Sequence, residues 1–172
     1  IAPYLSGVYG LDSAAIGTLT LWMAFAMIAG SVAYGPLDRW SPSRKWLNVS
    51  GGAIVVVCMF VLAIWTASSL FLTTAMLMVC GFAGMGYPVL MAHARQFFPP
   101  QAVGRGVTLL NFFSVVGVGV MQWTTAAIIR DEAIQNTPLH AFQTLFWFYA
   151  ICLTIVLALY LAARARPEKV AI

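Results

Sequence analysis

Five polar side chains recur in the second half of an otherwise apolar sequence, and hydrogen bonding is the chemistry that they could perform. They are Thr108, Asn111, Ser114, Gln122 and Thr125. At about 100° per residue on an α-helix, they fall within a stripe roughly 120° wide. Amides and hydroxyls are unfavourable in hydrocarbon without partners. The stripe therefore faces either a neighbouring helix, through interhelical hydrogen bonds, or a solute pathway, and the sequence leaves both alternatives open.

A second polar feature ends a glycine-rich segment, Gly81-Phe-Ala-Gly84-Met-Gly86-Tyr87-Pro88. Pro88 has no N–H to donate to the carbonyl of Gly84, so we expect a helix to kink here. Irregular backbone at membrane depth is tolerated inside protein or beside a water-filled cavity. Tyr87 could then offer its hydroxyl to a solute. The alternative is a kink that only shapes helix packing.

Catalysis is not expected, because paired carboxylates, a nucleophile–base set and a phosphate-binding loop are all missing from the sequence. Every Asp and Glu lies outside the apolar runs, so the carboxylate usual in proton- or cation-coupled pumps is missing too. The three cysteines lie inside apolar runs without metal-ligand spacing, and we expect inert buried thiols. His93 is expected to be a solvated interfacial residue, with a proton relay as the alternative. We predict no enzyme, cofactor or metal site.

The elements that position these residues follow from composition. The chain is 62% hydrophobic and 8% charged, with a mean hydropathy of +0.89, whereas a soluble domain is about 25% charged. Lipid is therefore the expected solvent. The net charge of +4 does not indicate nucleic-acid binding, because the basic residues sit in the gaps between apolar runs.

A membrane-spanning helix needs about 20 mostly apolar residues, and five runs qualify. The predicted spans are about 13–35, 46–65, 70–98, 107–129 and 141–163. We therefore expect an all-α, polytopic helix bundle forming a single transmembrane domain over residues 1–172. Residues 1–7 are expected to be the end of an earlier span. Pro36 and Pro42 should bracket the first loop between spans, and Pro138 should begin the fifth span.

The basic residues are distributed unevenly between the two sides that five spans create. One side holds eight of the nine Lys and Arg, and the other holds Arg130 alone. The eight are Arg39, Arg44, Lys45, Arg95, Arg105, Arg164, Arg166 and Lys169. Because basic loops stay inside, we expect these loops and the C-terminus to be cytoplasmic, in a bacterial cytoplasmic (inner) membrane.

The five spans also differ in polarity. The second and fifth are nearly pure apolar helices and are expected to face lipid. The first, third and fourth carry the small and polar residues that let membrane helices pack closely. We therefore expect these three to form the interior, with the second and fifth outside them.

The first loop, Tyr34-Gly-Pro-Leu-Asp38-Arg39-Trp-Ser-Pro-Ser-Arg44-Lys45-Trp46, resembles the loop signature of the major facilitator superfamily, roughly G-x-L-x-D-R-x-G-R-[RK]. The matching residues are Gly35, Asp38, Arg39, Arg44 and Lys45. The copy is degenerate: either Gly35 lies one residue too close to Asp38 or Tyr34 replaces the first glycine. Ser41 stands at the second glycine, and the basic pair comes two residues late. The segment around Gly84 and Pro88 and the polar run ending at Asn111 also look like the family's tenth and eleventh helices.

The resemblance covers nearly the whole chain, as helices eight to twelve in the C-terminal half of a transporter. It implies a secondary transporter in which two halves rock about a midplane site and move a small solute. The signature would be a cytoplasmic latch that engages the other half. The expected partners are the lipid bilayer and a missing N-terminal half or another membrane subunit. The alternative is a truncated chain that acts as a non-transporting structural or assembly subunit of a larger membrane complex.

If the chain is a transporter, the predicted pathway residues come from the kink and from the polar stripe. They are Tyr87, Asn111, Ser114, Gln122 and Thr125.

Overall fold

The computed structural model of the protein describes residues 1–135 and 137–162. Every regular element in these two ranges is helical. The helices are α1 (Ala2–Tyr9), α2 (Ser13–Trp40), α3 (Arg44–Ile64), α4 (Leu70–Ala83), α5 (Tyr87–Arg95), α6 (Val103–Gln135) and α7 (Pro138–Ala162). Short 3-10 turns cover Gly84–Gly86 and Pro100–Ala102. The basic tail residues Arg164, Arg166 and Lys169 lie outside the described residues.

Five helical stretches are long and apolar enough to cross a membrane. They are Ser13–Trp40, Arg44–Ile64, Leu70–Arg95, Pro100–Asp131 and Leu139–Ala162. The predicted all-α bundle with five transmembrane helices is thus confirmed, and the chain is an integral membrane protein. The helices extend beyond several predicted ends, because hydropathy detects the part in hydrocarbon and not the turns that continue into the headgroup region.

Local sequence signals explain the starts of α2 and α7. The Asp12 carboxylate accepts a hydrogen bond of 2.9 Å from the Ala15 amide and so caps α2. Pro138 begins α7, as predicted. The expectation that Pro36 opens a loop is wrong, since α2 continues through Pro36 to Trp40. A proline near a helix end removes one backbone hydrogen bond, and the carbonyl it frees can be solvated there.

The core lies at the end of the bundle away from the Asp38–Arg44 loop. Its buried members come from α1, α3, α4 and α7: Tyr4, Leu5, Leu62, Ala63, Leu77, Phe142, Leu145 and Phe146. The Tyr4 ring packs edge-on against Phe142 and Phe146, with ring centroids 4.9 and 5.3 Å away. Its hydroxyl donates to the carbonyl of Thr66. The short helix α1 is therefore fixed against the ends of α3 and α7.

The predicted sorting of the helices holds for the third span, whose helix α4 contributes Leu77 to the core, and is wrong for α2, α3 and α6. Helix α3, expected outside, contributes seven buried residues, from Lys45 to Ala63. Helix α2, expected inside, buries only Gly30 and Tyr34, and the most apolar window of α6 buries none. An apolar helix can bury one face in protein and turn the other to lipid. Polarity alone therefore did not identify the helices that pack together.

Candidate functional site

The candidate site begins at a break in the third membrane-spanning stretch. Helix α4 ends at Ala83, and Met85 has non-helical backbone angles of φ −77° and ψ 16°. Pro88 follows in the first turn of α5, where its missing N–H costs nothing. The predicted kink is confirmed. At the break, the carbonyl of Ala83 accepts a hydrogen bond of 2.6 Å from the hydroxyl of Tyr34 on α2.

Tyr87 lies directly after the break and connects α5 to the polar stripe of α6. Its hydroxyl donates to the side-chain oxygen of Asn111. Both residues are exposed, with 43% of Tyr87 accessible. The structure therefore brings together two of the predicted pathway residues that are 24 positions apart in sequence.

Of the remaining stripe residues, Ser114 and Thr125 make hydrogen bonds, whereas Gln122 is exposed. Ser114 donates to the carbonyl of Leu110 in its own helix at 2.9 Å. The Thr125 hydroxyl lies 2.6 Å from that of Tyr149 on α7. Gln122 is exposed and makes no hydrogen bond within residues 1–135 and 137–162. One edge of the stripe thus serves helix packing, whereas the other leaves amide groups accessible.

The accessible edge can bind through neutral hydrogen bonds. Asn111 and Gln122 are eleven residues apart, about 16 Å along α6. Asn111 uses its oxygen to accept from Tyr87, while its side-chain N–H groups have no acceptor in the described part of the chain. A solute carrying hydroxyl, carbonyl or amide groups could pair with these positions. Interhelical hydrogen bonds thus involve Asn111 and Thr125, whereas Gln122 stays accessible.

The loop signature forms a charged cluster where α2 meets α3. Arg44 Nε lies 2.9 Å from Asp38 Oδ1, and Arg44 Nη2 lies 3.2 Å from Asp38 Oδ2. Lys45 Nζ donates to the carbonyl of Leu161 on α7 at 2.8 Å. Arg39 is exposed, and Gly35 is an exposed helical residue with open space around it. The structure therefore pairs Asp38 with Arg44, connects Lys45 to α7, and leaves Arg39 and Gly35 outside the ion pair.

Two contacts near the site were not foreseen from sequence. His93 is 6% exposed, so the expectation of an ordinarily solvated interfacial residue is wrong. Its Nδ1 lies 2.8 Å from the hydroxyl of Tyr160 on α7. Tyr34 was not singled out either. Each contact involves a tyrosine within an apolar run, Tyr160 in one case and Tyr34 in the other. A tyrosine hydroxyl buried there needs a hydrogen-bond partner, and this was the signal available in the sequence.

Comparison with known proteins identifies the family. No solved structure matches the chain. A family model described as Major Facilitator Superfamily matches residues 1–172, the whole sequence. This match agrees with the helical architecture, the broken helix and the charged α2–α3 loop. The chain therefore belongs to the major facilitator superfamily.

Proposed function

We propose that this chain is the C-terminal part of a secondary transporter that moves a small solute by alternating access. Its family provides a transporter fold. The observation that carries the proposal is the accessible polar edge of α6, where Asn111 and Gln122 are exposed at membrane depth. Amides are unfavourable in hydrocarbon, so this edge needs water, a solute or another protein surface.

The position of the charged loop supports an assignment of α2 to α7 as helices eight to twelve of a C-terminal half. The charged loop joins the first two long helices, as the family signature does between the second and third helices of each half. The broken stretch α4–α5 then corresponds to the tenth helix and α6 to the eleventh. Helix α1 would be the end of the seventh helix, and residues 1–172 would form one transmembrane domain.

The mechanism follows from the same arrangement. The two halves rock about a midplane site, and the break at Gly84–Gly86 supplies irregular backbone beside it. Tyr87 and Asn111 would form part of the wall, with Gln122 about three turns further along α6. Asp38, Arg39, Arg44 and Lys45 would latch the cytoplasmic side against the other half. Ser114 and Thr125 would support α6 rather than contact the solute.

The uneven distribution of basic residues supports an orientation. The ends of α2 and α5 and the starts of α3 and α6 carry Arg39, Arg44, Lys45, Arg95 and Arg105. Under the positive-inside rule this end of the bundle faces the cytoplasm, in a bacterial inner membrane. The loop between α3 and α4 and the loop between α6 and α7 would face outward.

Cysteine accessibility tests the pathway without knowledge of the solute. In the full-length protein, with Cys58, Cys80 and Cys152 replaced by Ala, we expect Asn111→Cys and Gln122→Cys to react with a water-soluble thiol reagent. Cysteine reacts as the thiolate, which forms only where water reaches it. Leu159→Cys, on the 68% exposed apolar face of α7, is the control and should stay unreactive.

Equal, slow reaction at all three positions would mean that no aqueous pathway follows α6 and would remove both assignments. Once a transported solute is identified, the Asn111→Ala and Gln122→Ala double variant should lose flux while it stays folded. Normal flux by the double variant would exclude these two residues from the pathway.

A further inference from the structure

A cavity of about 380 Å³ lies on the other side of Tyr87 from the polar stripe. It is bounded by α3, by the break between α4 and α5, and by the last turns of α7, and it is open on one side. The apolar part of its wall consists of side chains from α3, α5 and α7. They are Val55, Leu90, Leu153, Val156 and Leu157. The proposed pathway along α6 does not use this cavity.

Each polar side chain in the wall has at least one hydrogen-bond partner. The hydroxyl of Tyr34 donates to the Ala83 carbonyl at 2.6 Å, and that of Tyr160 pairs with His93 Nδ1 at 2.8 Å. The side-chain nitrogen of Asn48 donates to the carbonyl of Arg44 at 2.9 Å. A buried water needs two to four polar partners. Because most of the wall is apolar, the cavity suits an apolar ligand better than a polar solute.

The mouth of the cavity opens at membrane depth. It is bordered by Tyr87 and Leu90 on α5 and by Val156 on α7, which are 43%, 36% and 60% exposed. No described residue of α6 lines the cavity. Helix α6 hydrogen-bonds to α5 at Asn111 and to α7 at Thr125. Tyr87, Leu90 and Val156 all lie within stretches that are apolar and long enough to span a membrane, so hydrocarbon is the expected solvent at this gap.

We propose that this cavity holds an acyl chain of a membrane lipid. An empty apolar cavity loses the dispersion contacts of its lining, and a hydrocarbon chain restores them. A methylene group occupies about the volume of a water, roughly 30 Å³, so the cavity accommodates on the order of a dozen methylenes. That is the length scale of a fatty acyl chain. The inference depends on the packing of α3, α5 and α7 and not on the proposed transport.

Photoreactive phosphatidylcholine with a diazirine in its acyl chain tests the proposal. The full-length protein is placed in nanodiscs that contain this lipid, irradiated and mapped by peptide mass spectrometry. We expect adducts on Leu153 and Leu157, which line the cavity, as well as on Ile155 and Leu159, which lie on the outer face of the same helix. The outer pair reports contact with bulk lipid, so each sample carries its own reference.

Gly84→Leu fills the cavity, because Gly84 lines it and a Cβ there would meet no atom within 4 Å. We expect labelling of the cavity pair to fall about tenfold, as several methylenes are displaced, with the outer pair unchanged. Gly117→Leu is the matched control, since Gly117 on α6 also has open space and lies outside the cavity. Leu90→Trp, which narrows the mouth, repeats the test if Gly84→Leu does not fold.

The proposal fails if wild-type labelling of Leu153 and Leu157 stays at background while Ile155 and Leu159 are labelled. It also fails if neither filling variant lowers labelling of the cavity pair. Competition during irradiation identifies the occupant. If a transported solute, rather than excess unlabelled phosphatidylcholine, lowers labelling of the cavity pair, the cavity belongs to the solute pathway and the assignment to lipid is wrong.

Discussion

Helices α2 and α4 approach each other so closely at Gly30 that we expect a single added methyl group to separate them. A Cβ at Gly30 would lie 2.9 Å from the Cα of Phe82 and would overlap its carbonyl oxygen. Both are backbone atoms of α4, so no side-chain rotation can relieve the contact. Gly30→Ala must therefore shift one helix relative to the other, close to the break that follows Ala83.

The expected magnitude follows from two opposing terms. Alanine is favoured over glycine inside a helix by about 1 kcal/mol, and overpacking a close contact costs about 1–3 kcal/mol. The upper end applies to Gly30, so Gly30→Ala should lower the free energy of unfolding by about 2 kcal/mol. Gly17→Ala, in the same helix with no atom within 4 Å of the new Cβ, should raise it by up to about 1 kcal/mol.

The assay is unfolding in mixed micelles, in which SDS is titrated into protein in a mild detergent and helicity is followed by circular dichroism. The two variants should bracket the wild type, with a gap of about 3 kcal/mol, or roughly a hundredfold in the folded-to-unfolded ratio. Equal stability of Gly30→Ala and Gly17→Ala would refute the close approach of α2 and α4 and, with it, the placement of α2 beside the break.

Three further predictions concern the ends of the helices and the break. A double-mutant cycle with Asp38→Asn and Arg44→Gln should give a coupling of about 0.5–1 kcal/mol in low salt, because the pair is partly exposed. The same coupling should shrink in molar salt, and an unchanged value would contradict the ion pair. Tyr34→Phe should lower the free energy of unfolding by about 1 kcal/mol, as it removes a buried hydrogen bond at the break; the SDS titration measures this. With the native cysteines replaced, an impermeant reagent should label Gln101→Cys from the cytoplasmic side and Ser68→Cys from the outer side. Labelling of both cysteines from the same side would overturn the orientation.

The sequence predicted the spans and the break because both depend on local chemistry. Five apolar runs need a bilayer, and Pro88 cannot donate to the residue one turn before it. The contact between Tyr87 and Asn111 was not predicted as a pair, although both residues were selected. Polar side chains at membrane depth are few and need partners, so residue type identified the candidates. Only the packing of α5 against α6 could pair them.

The assignment of helices to the core failed for a different physical reason. In water, a buried face is apolar and an exposed face is polar, so composition sorts the two. In lipid, the outer face of a helix is also apolar, and association depends on close packing. Helix α3 illustrates this, because Val56 and Cys58 are buried while Val57 between them is 59% exposed. Nothing in residue type separates these neighbours.

The failed assignment is consistent with the proposed function once the chain is considered as one half of a larger bundle. The helices expected inside, α2, α4–α5 and α6, include the two that this half leaves most exposed. If the chain were a self-contained bundle, the amides of Asn111 and Gln122 would face hydrocarbon, which is unfavourable. If a second half packs against this side, the same helices line the space between the halves. The interior indicated by polarity then lies between the two halves, outside the core formed by α1, α3, α4 and α7.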